Sequence, residues 1–275
     1  MNGSHGNGST VTGMAVVLDR SCIRATGPDA AAYLQSMVSN DIELAVPGGG
    51  VYALLLTPKA RVIADLELFN TGDELVLACD PSRREDVLAT LVRSRFRRKV
   101  ELEPSGHAVV WGDADGALAT LDTPIGPYRL VAGPPAERDD PETWETARIE
   151  AGIPRYGREF DGDTMPAEAG LDERAVSFSK GCYPGQEPVA RLHYRGHPNR
   201  GVRGLWFPGQ ARPQAAADVV LGEKRVGRVT SPVMSPTHGS IALAVLRREV
   251  PDEVEVDAGG VAGVVKALPF GAAMA

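Results

Sequence analysis

The octet Lys180-Gly181-Cys182-Tyr183-Pro184-Gly185-Gln186-Glu187 is followed by Val189-Ala190-Arg191 and by a glycine-punctuated basic run to Arg203. Two glycines and a proline so close together break regular structure, so the octet predicts a sharply turned loop. Such a loop can hold Cys182 out toward solvent with Lys180 and Arg191 near in sequence, and neighbouring cations favour thiolate over thiol. An ordinary cysteine titrates near ~8.5, so a modest depression makes it largely anionic at neutral pH. A small buried apolar cysteine also fits the same residues, and the local sequence leaves both readings open.

Outward from the octet, a chain of 275 residues with 43% hydrophobic content can bury a substantial core in one to three domains. Its 24% charged content is ordinary, and no apolar run approaches the ~18 residues a membrane span needs. Met1 to Thr10 is rich in Gly, Ser and Asn and lacks the basic start, apolar middle and cleavage site of a signal peptide. A disordered tail is expected over residues 1–13. Three cysteines, Cys22, Cys79 and Cys182, are odd in number and widely spaced, which suits neither a disulfide framework nor a metal knuckle. A reducing cytoplasm without a metal site is the expectation. Net charge is −7 with a pI near 5.3, so the molecule repels polyanions and nucleic acid is a disfavoured partner. The basic run from Arg191 to Arg203 remains able to hold a small anion.

Residues 15–25 read as a strand. Gly27-Pro28-Asp29 then opens a helix, since proline suits its first turn and aspartate its positive end. Ala30, Tyr33, Leu34, Met37 and Val38 share one face of it, and it should end near Asn40-Asp41. Beyond Pro47-Gly48-Gly49-Gly50, strands are predicted at 51–57, 61–69 and 75–79, with turns at Pro58-Lys59 and Asn70-Thr71-Gly72-Asp73. Ser82 with Glu85 forms a capping box for a helix carrying Val87, Leu88, Leu91 and Val92, and strands at 100–103 and 108–111 follow. This run reads as an α+β subdomain inserted over about 51–120. Arg93, Arg95, Arg97, Arg98 and Lys99 suit the negative end of the helix as a solvated face better than they suit a nucleic-acid stripe. Another helix spans 142–150 and stops at Gly152 and Pro154. Short apolar segments at 205–207, 219–221, 226–230, 241–246, 254–256 and 261–268 predict a small β-barrel over 203–275, after a larger domain over 14–202.

The octet fits K-G-C-Y-x-G-Q-E at every specified position, and through it the chain resembles the YgfZ-type folate-binding proteins, relatives of the glycine-cleavage T-protein (aminomethyltransferase) superfamily. The likeness extends through Gly27-Pro28-Asp29-Ala30, Leu34-Gln35, Asn40-Asp41, Arg148-Ile149-Glu150-Ala151-Gly152, Tyr156-Gly157 and Pro166-Ala167-Glu168-Ala169-Gly170-Leu171. It continues in Val226-Gly227 through Ser231, the 241–247 strand and Leu268-Pro269-Phe270, and so covers roughly 16–270. What the resemblance implies is an α+β, T-protein-like folate-binding fold with a ferredoxin-like inserted subdomain and a small C-terminal β-barrel. Tetrahydrofolate would lie in a central channel between the N-terminal domains.

A pterin presents donors in a row, so a carboxylate is its expected partner, and Glu150 stands at the position of the T-protein's pterin-binding glutamate. The alternative is a surface carboxylate, poorly placed for the dipole at the end of its helix. Ala64-Asp65-Leu66 lies where the T-protein has paired aspartates, so Asp65 is the second candidate, for folate or for chemistry. Only one acid survives there, which weakens the case for aminomethyl transfer. Asp65 also shares a strand face with Arg61, Ile63 and Glu67, opposite Val62, Ala64, Leu66 and Leu68, so a plain exposed strand position explains it equally.

Arg191, with Arg195 and Arg200, is a candidate cluster for folate's glutamate tail or a solvated loop. Gln186 and Glu187 join the folate-binding set, and Lys180 and Tyr183 join Cys182 and Asp65 as candidates for chemistry. His193 and His197 lack a third group that would orient an imidazole toward Cys182, and with one thiol they make no recognisable metal site. The function implied is a tetrahydrofolate-binding accessory protein supporting the assembly or repair of iron–sulfur enzymes, with those clients or assembly proteins as partners, no membrane, and Cys182 as the key residue. The alternative is a folate-dependent aminomethyltransferase or demethylase. An RNA-binding module on Arg191 to Arg203 with Tyr194 is disfavoured by the acidic pI and the few aromatic residues.

Overall fold

The computed structural model describes residues 13–136 and 138–271, so the tail expected over 1–13 lies, except for Gly13, outside the described residues. In chain order the elements begin β1 (Ala15–Val17), β2 (Ser21–Thr26), α1 (Ala30–Gln35), β3 (Gly50–Leu56), β4 (Val62–Asn70), β5 (Leu75–Cys79) and α2 (Arg84–Ser94). Then come β6 (Glu101–Ser105), β7 (Ala108–Gly112), β8 (Ala119–Leu121), β9 (Tyr128–Val131), α3 (Pro141–Glu150), α4 (Asp172–Ala175) and α5 (Gln186–Arg195). The last strands are β10 (Arg200–Phe207), β11 (Asp218–Leu221), β12 (Lys224–Ser235), β13 (Gly239–Arg247), β14 (Glu255–Ala258) and β15 (Ala262–Lys266). Among the described residues no helix is long and apolar enough to cross a membrane.

Two compact units divide the chain. One takes the described part of Met1–Leu34 with Ile42–Tyr52 and Leu66–Trp144, and the other takes Gln35–Asp41, Ala53–Asp65 and the described part of Glu145–Ala275.

The first unit carries a four-stranded sheet in the order β1-β7-β9-β8, and strands of a five-stranded sheet ordered β3-β4-β5-β2-β6. Here β2 lies between β5 and β6, antiparallel to both. The succession β2-α1-β4-β5-α2-β6 with the order β4-β5-β2-β6 is ferredoxin-like. It is not confined to the expected insert over 51–120. Its central strand β2 comes from earlier in the chain, while β7 leaves for the other sheet. The reason is that Cys22, Ile23 and Ala25 are all buried, and a strand so covered needs partners on both edges.

Residues 15–25 are two strands rather than one. Between them Arg20 N donates to Leu18 O at 2.9 Å, and the Arg20 guanidinium is paired with the buried Glu67 at 2.7 Å. The expected Ser82 cap is also replaced: Asp80 Oδ1 accepts from Ser82 N at 3.0 Å and from its hydroxyl at 2.6 Å, and residues 81–83 form a short 3-10 turn before α2.

In the second unit β10, β13, β12, β11, β14 and β15 close into a barrel. Its first strand starts at Arg200, ahead of the boundary expected at 203. Leu205, Phe207, Val226, Val229, Ala242, Ala244, Leu246 and Val265 fill the interior. Each large aliphatic or aromatic side chain buried there contributes about 1.5–3 kcal/mol relative to exposure. On the other face of β13, Ile241 and Leu243 pack with Ile149 of α3 and with Phe270. Both faces of β13 are thus covered, which is why 241–246 is one continuous apolar run. Gly204 of β10 makes this packing fit, since a Cβ there would lie 2.8 Å from the Phe270 ring.

Where a loop was expected after Tyr183, the chain instead forms α5. Gly185 at its start has φ +84°, and a Cβ there would lie 2.6 Å from Thr57 O, so only glycine makes the turn without strain. Glu187 then complements the positive helix end, and Val189 buries the inner face.

Candidate functional site

Cys182 is exposed at the crest of the irregular segment between α4 and α5, whereas Cys22 and Cys79 are buried. The segment is braced from below. Ser177 N donates to Ser39 O at 3.0 Å, Lys180 N to the Ser177 hydroxyl at 3.2 Å, and Gln186 N to Tyr183 O at 3.3 Å. The side chain of Lys180 then turns away from the role expected of it. Its ammonium donates to the carbonyl oxygens of Gln35 (2.6 Å), Val38 (2.8 Å) and Asn40 (2.8 Å), and to Gln35 Oε1 at 3.2 Å. Helix α1 ends at Gln35, well before the expected Asn40-Asp41, and the cation bonds the terminal Gln35 carbonyl together with two carbonyls of the turn that follows the helix.

Lys180 is therefore an anchor for the loop rather than a mobile cation beside the thiol. Burial draws its ammonium down to about 8, with Asp41 acting in the opposite direction. Nζ also lies 5.5 Å from the centre of the Tyr183 ring, which is itself 7% exposed. Burial pushes the Tyr183 phenol up to about 12, and its hydroxyl bonds to no described residue. At neutral pH Tyr183 is therefore a packed, protonated phenol within the loop.

Beyond the loop, α5 presents Gln186, Glu187 and Arg191. Gln186 is half-buried, Glu187 and Arg191 are exposed, and none of their side chains bonds or ion-pairs within the described residues. Arg200, expected in the same anion cluster, is engaged by Glu168 at 3.1 Å, so the cations left on this stretch are Arg191 and Arg195. His193 stacks on Phe178 at 4.0 Å between centroids and places Nδ1 3.5 Å from Asp172. These contacts hold the imidazole on the flank of α5. Among the described residues no three His, Cys, Asp or Glu side chains gather as a metal-binding group.

Asp65 is not an exposed strand position. It is 1% exposed on β4, as is Glu67 on the same face, and Ala64, Leu66 and Leu68 on the opposite face are buried as well, so both faces of that strand are covered. A carboxylate placed there carries a desolvation cost that plain surface chemistry does not explain.

Glu150, the last residue of α3, is set by two networks. The first is buried: Arg148, 0% exposed, binds Glu145, Glu159 (3.2 Å), Ile153 O (3.0 Å) and Ser231 (2.8 Å). Glu159 is in turn bonded by Thr230 and Ser231, each at 2.6 Å, and by Arg155 N at 2.9 Å. Every charge in it is paired, the condition on which a buried ion pair is tolerated. The second network is at the carboxylate itself, where Ser235 Oγ donates to Glu150 Oε1. Glu150 Oε2 has no protein partner among the described residues. Sequence reasoning missed Arg148, Glu159 and Ser235; the signal was a pair of hydroxyls, Thr230-Ser231, inside a barrel strand where apolar residues should alternate.

No protein-family model matches the chain. It is 29% identical to tRNA-modifying protein YgfZ of Serratia proteamaculans, with 78% of each chain covered. It is also 29% identical to the protein of the same name from Pectobacterium carotovorum, with 74% of each covered. The chain is similar to the YgfZ proteins. Its fold is that of the glycine cleavage system aminomethyltransferase T of Bartonella henselae, at a TM-score of 0.79 and 19% identity, covering 94% of this chain and 86% of that one. The octet that carries the YgfZ likeness is therefore the segment that Lys180 ties to the 35–40 turn and that leaves the sulfur of Cys182 in solvent.

Proposed function

We propose that this chain binds tetrahydrofolate through Glu150 and serves as an accessory protein in the assembly or repair of iron–sulfur enzymes, with Cys182 as its reactive group. The observation that carries the folate half is the state of the Glu150 carboxylate: Oε1 is held by Ser235, and Oε2 has no protein partner among the described residues. A carboxylate so placed fits the 2-amino group and ring N–H of a pterin, which need two adjacent acceptors. Arg191 and Arg195, one helical turn apart and without carboxylate partners among the described residues, suit the glutamate tail, with Gln186 and Glu187 on the same helix.

Support for the second half is the exposed thiol on a braced loop, together with the likeness to YgfZ proteins. The name of those relatives, tRNA-modifying proteins, favours tRNA-modifying enzymes among the clients. A reducing cytoplasm is the compartment in which a lone exposed thiol persists. The test is complementation of a deletion strain. Cys182→Ala should fail to restore iron–sulfur enzyme activities while the purified variant still binds tetrahydrofolate, and full restoration by the variant would refute the role.

A second reading, a folate-dependent aminomethyltransferase or demethylase, is favoured by the T-protein fold and by the buried Asp65. Turnover of an aminomethyl or methylamine donor with tetrahydrofolate, lost in Asp65→Asn, would support it over the first. Absence of turnover across such donors counts against it.

A further inference from the structure

We infer that Ser235 is a positioning residue, which aims the Glu150 carboxylate at the donors of the pterin. The inference rests on the reading of Glu150 as the folate ligand. Ser235 ends β12 and pairs with Gly239 of β13 across the turn Pro236-Thr237-His238. A hydroxyl has one proton and two lone pairs. Ser235 Oγ accepts from Thr237 N at 3.0 Å and from His238 N at 2.8 Å, so its lone pairs are occupied and its proton goes to Glu150 Oε1. The direction of that bond is thereby fixed: the serine donates and the carboxylate accepts.

The turn cannot easily move away. Ser235 is 3% exposed, Trp206 Nε1 donates to His238 O at 3.2 Å, the His238 ring packs 5.8 Å from Phe270, and Phe270 N donates to Glu150 O at 2.9 Å. Hairpin turn, C-terminal segment and helix end thus close a ring of contacts around one carboxylate. With one lone pair of Oε1 committed, the other and both of Oε2 remain for a ligand that presents two neighbouring donors. Without the hydroxyl, the terminal torsion of Glu150, which is broad in glutamate, loses its fixed setting, and two donors of the turn lose their acceptor.

The experiment is a double-mutant cycle on tetrahydrofolate affinity, measured by calorimetry on wild type, Ser235→Ala, Glu150→Ala and the double variant, with Ser235→Thr as the conservative control. Ser235→Ala should weaken binding about tenfold, as loss of a hydrogen bond to a charged group does. Ser235→Thr should recover most of that loss, and Ser235→Ala should cost nothing further once Glu150 is alanine. For a folate analogue lacking the 2-amino group, which keeps only the ring N–H to bond the carboxylate, the loss caused by Ser235→Ala should be smaller than for tetrahydrofolate, whereas general damage to the fold would weaken both ligands alike. Equal costs of Ser235→Ala with and without Glu150, or no cost in either, would overturn the inference alone. Wild-type affinity in Glu150→Ala would overturn the folate reading beneath it.

Discussion

Cys22 lies on β2, where burial first and the Glu67 carboxylate second push its thiol up to about 12. Cys79 is buried on β5, and Cys182 stands in solvent. Native protein should therefore take up iodoacetamide at Cys182 alone, with the other two reacting only after unfolding, and Cys182→Ser should take up none; mass spectrometry of the native adduct decides, and early labelling of Cys22 or Cys79 would contradict it. Lys180 gives a prediction in pH. Its folded value of about 8 lies below the 10.5 of a free lysine, so in that window the unfolded chain binds more protons and this residue's contribution to stability rises with pH. The stability gap between wild type and Lys180→Met should shift in favour of the wild type from pH 8 to 10.5, by on the order of 1 kcal/mol once solvent screening is allowed for. A gap that shrinks across the window would contradict it. The octet made the turned loop legible but left the exposure of its sulfur open, and it hid the work of Lys180, because the carbonyls it binds lie 140 to 145 residues away in the chain.

At the scale of elements, α3 is held by a charge sealed in protein. Arg148→Met leaves Glu159, whose side chain is 0% exposed, without its cation, and removing one partner of such a pair costs about 3–5 kcal/mol. Urea denaturation should show that loss, and a cost under about 1 kcal/mol would mean that the network does not hold the helix. The barrel strands were legible because their apolar runs are short and divided by Gly and Pro turns, and α3 because Gly152 and Pro154 end it. Helix α5 was not, since Gly185, Pro188 and Gly196 look like loop residues until it is seen that Gly185 makes the entrance in a left-handed conformation and Gly196 follows the last turn. The ferredoxin-like order could be anticipated as a type but not in extent, because pairing of β2 with β5 and β6 is a contact between distant segments that local pattern does not encode.

At the scale of the whole molecule, a net charge of −7 sits beside the two exposed cations of α5, Arg191 and Arg195, so any attraction for an anion there would be local and not a property of the surface at large. Every residue in the folate and thiol hypotheses, from Asp65 and Glu150 to Lys180, Cys182 and Arg191, belongs to the second unit, although the chain supplies that unit from three separate stretches. That shared unit could not be read from the sequence: the octet located one piece, and the family likeness rather than any pattern of spacing pointed to Glu150. The measurement that bears most directly on the account is the affinity of the purified protein for tetrahydrofolate, wild type against Glu150→Ala. The account predicts saturable one-to-one binding by the wild type, weakened at least about tenfold in the variant, as loss of charge-assisted hydrogen bonds requires. No binding by the wild type, or equal binding by both, would contradict it.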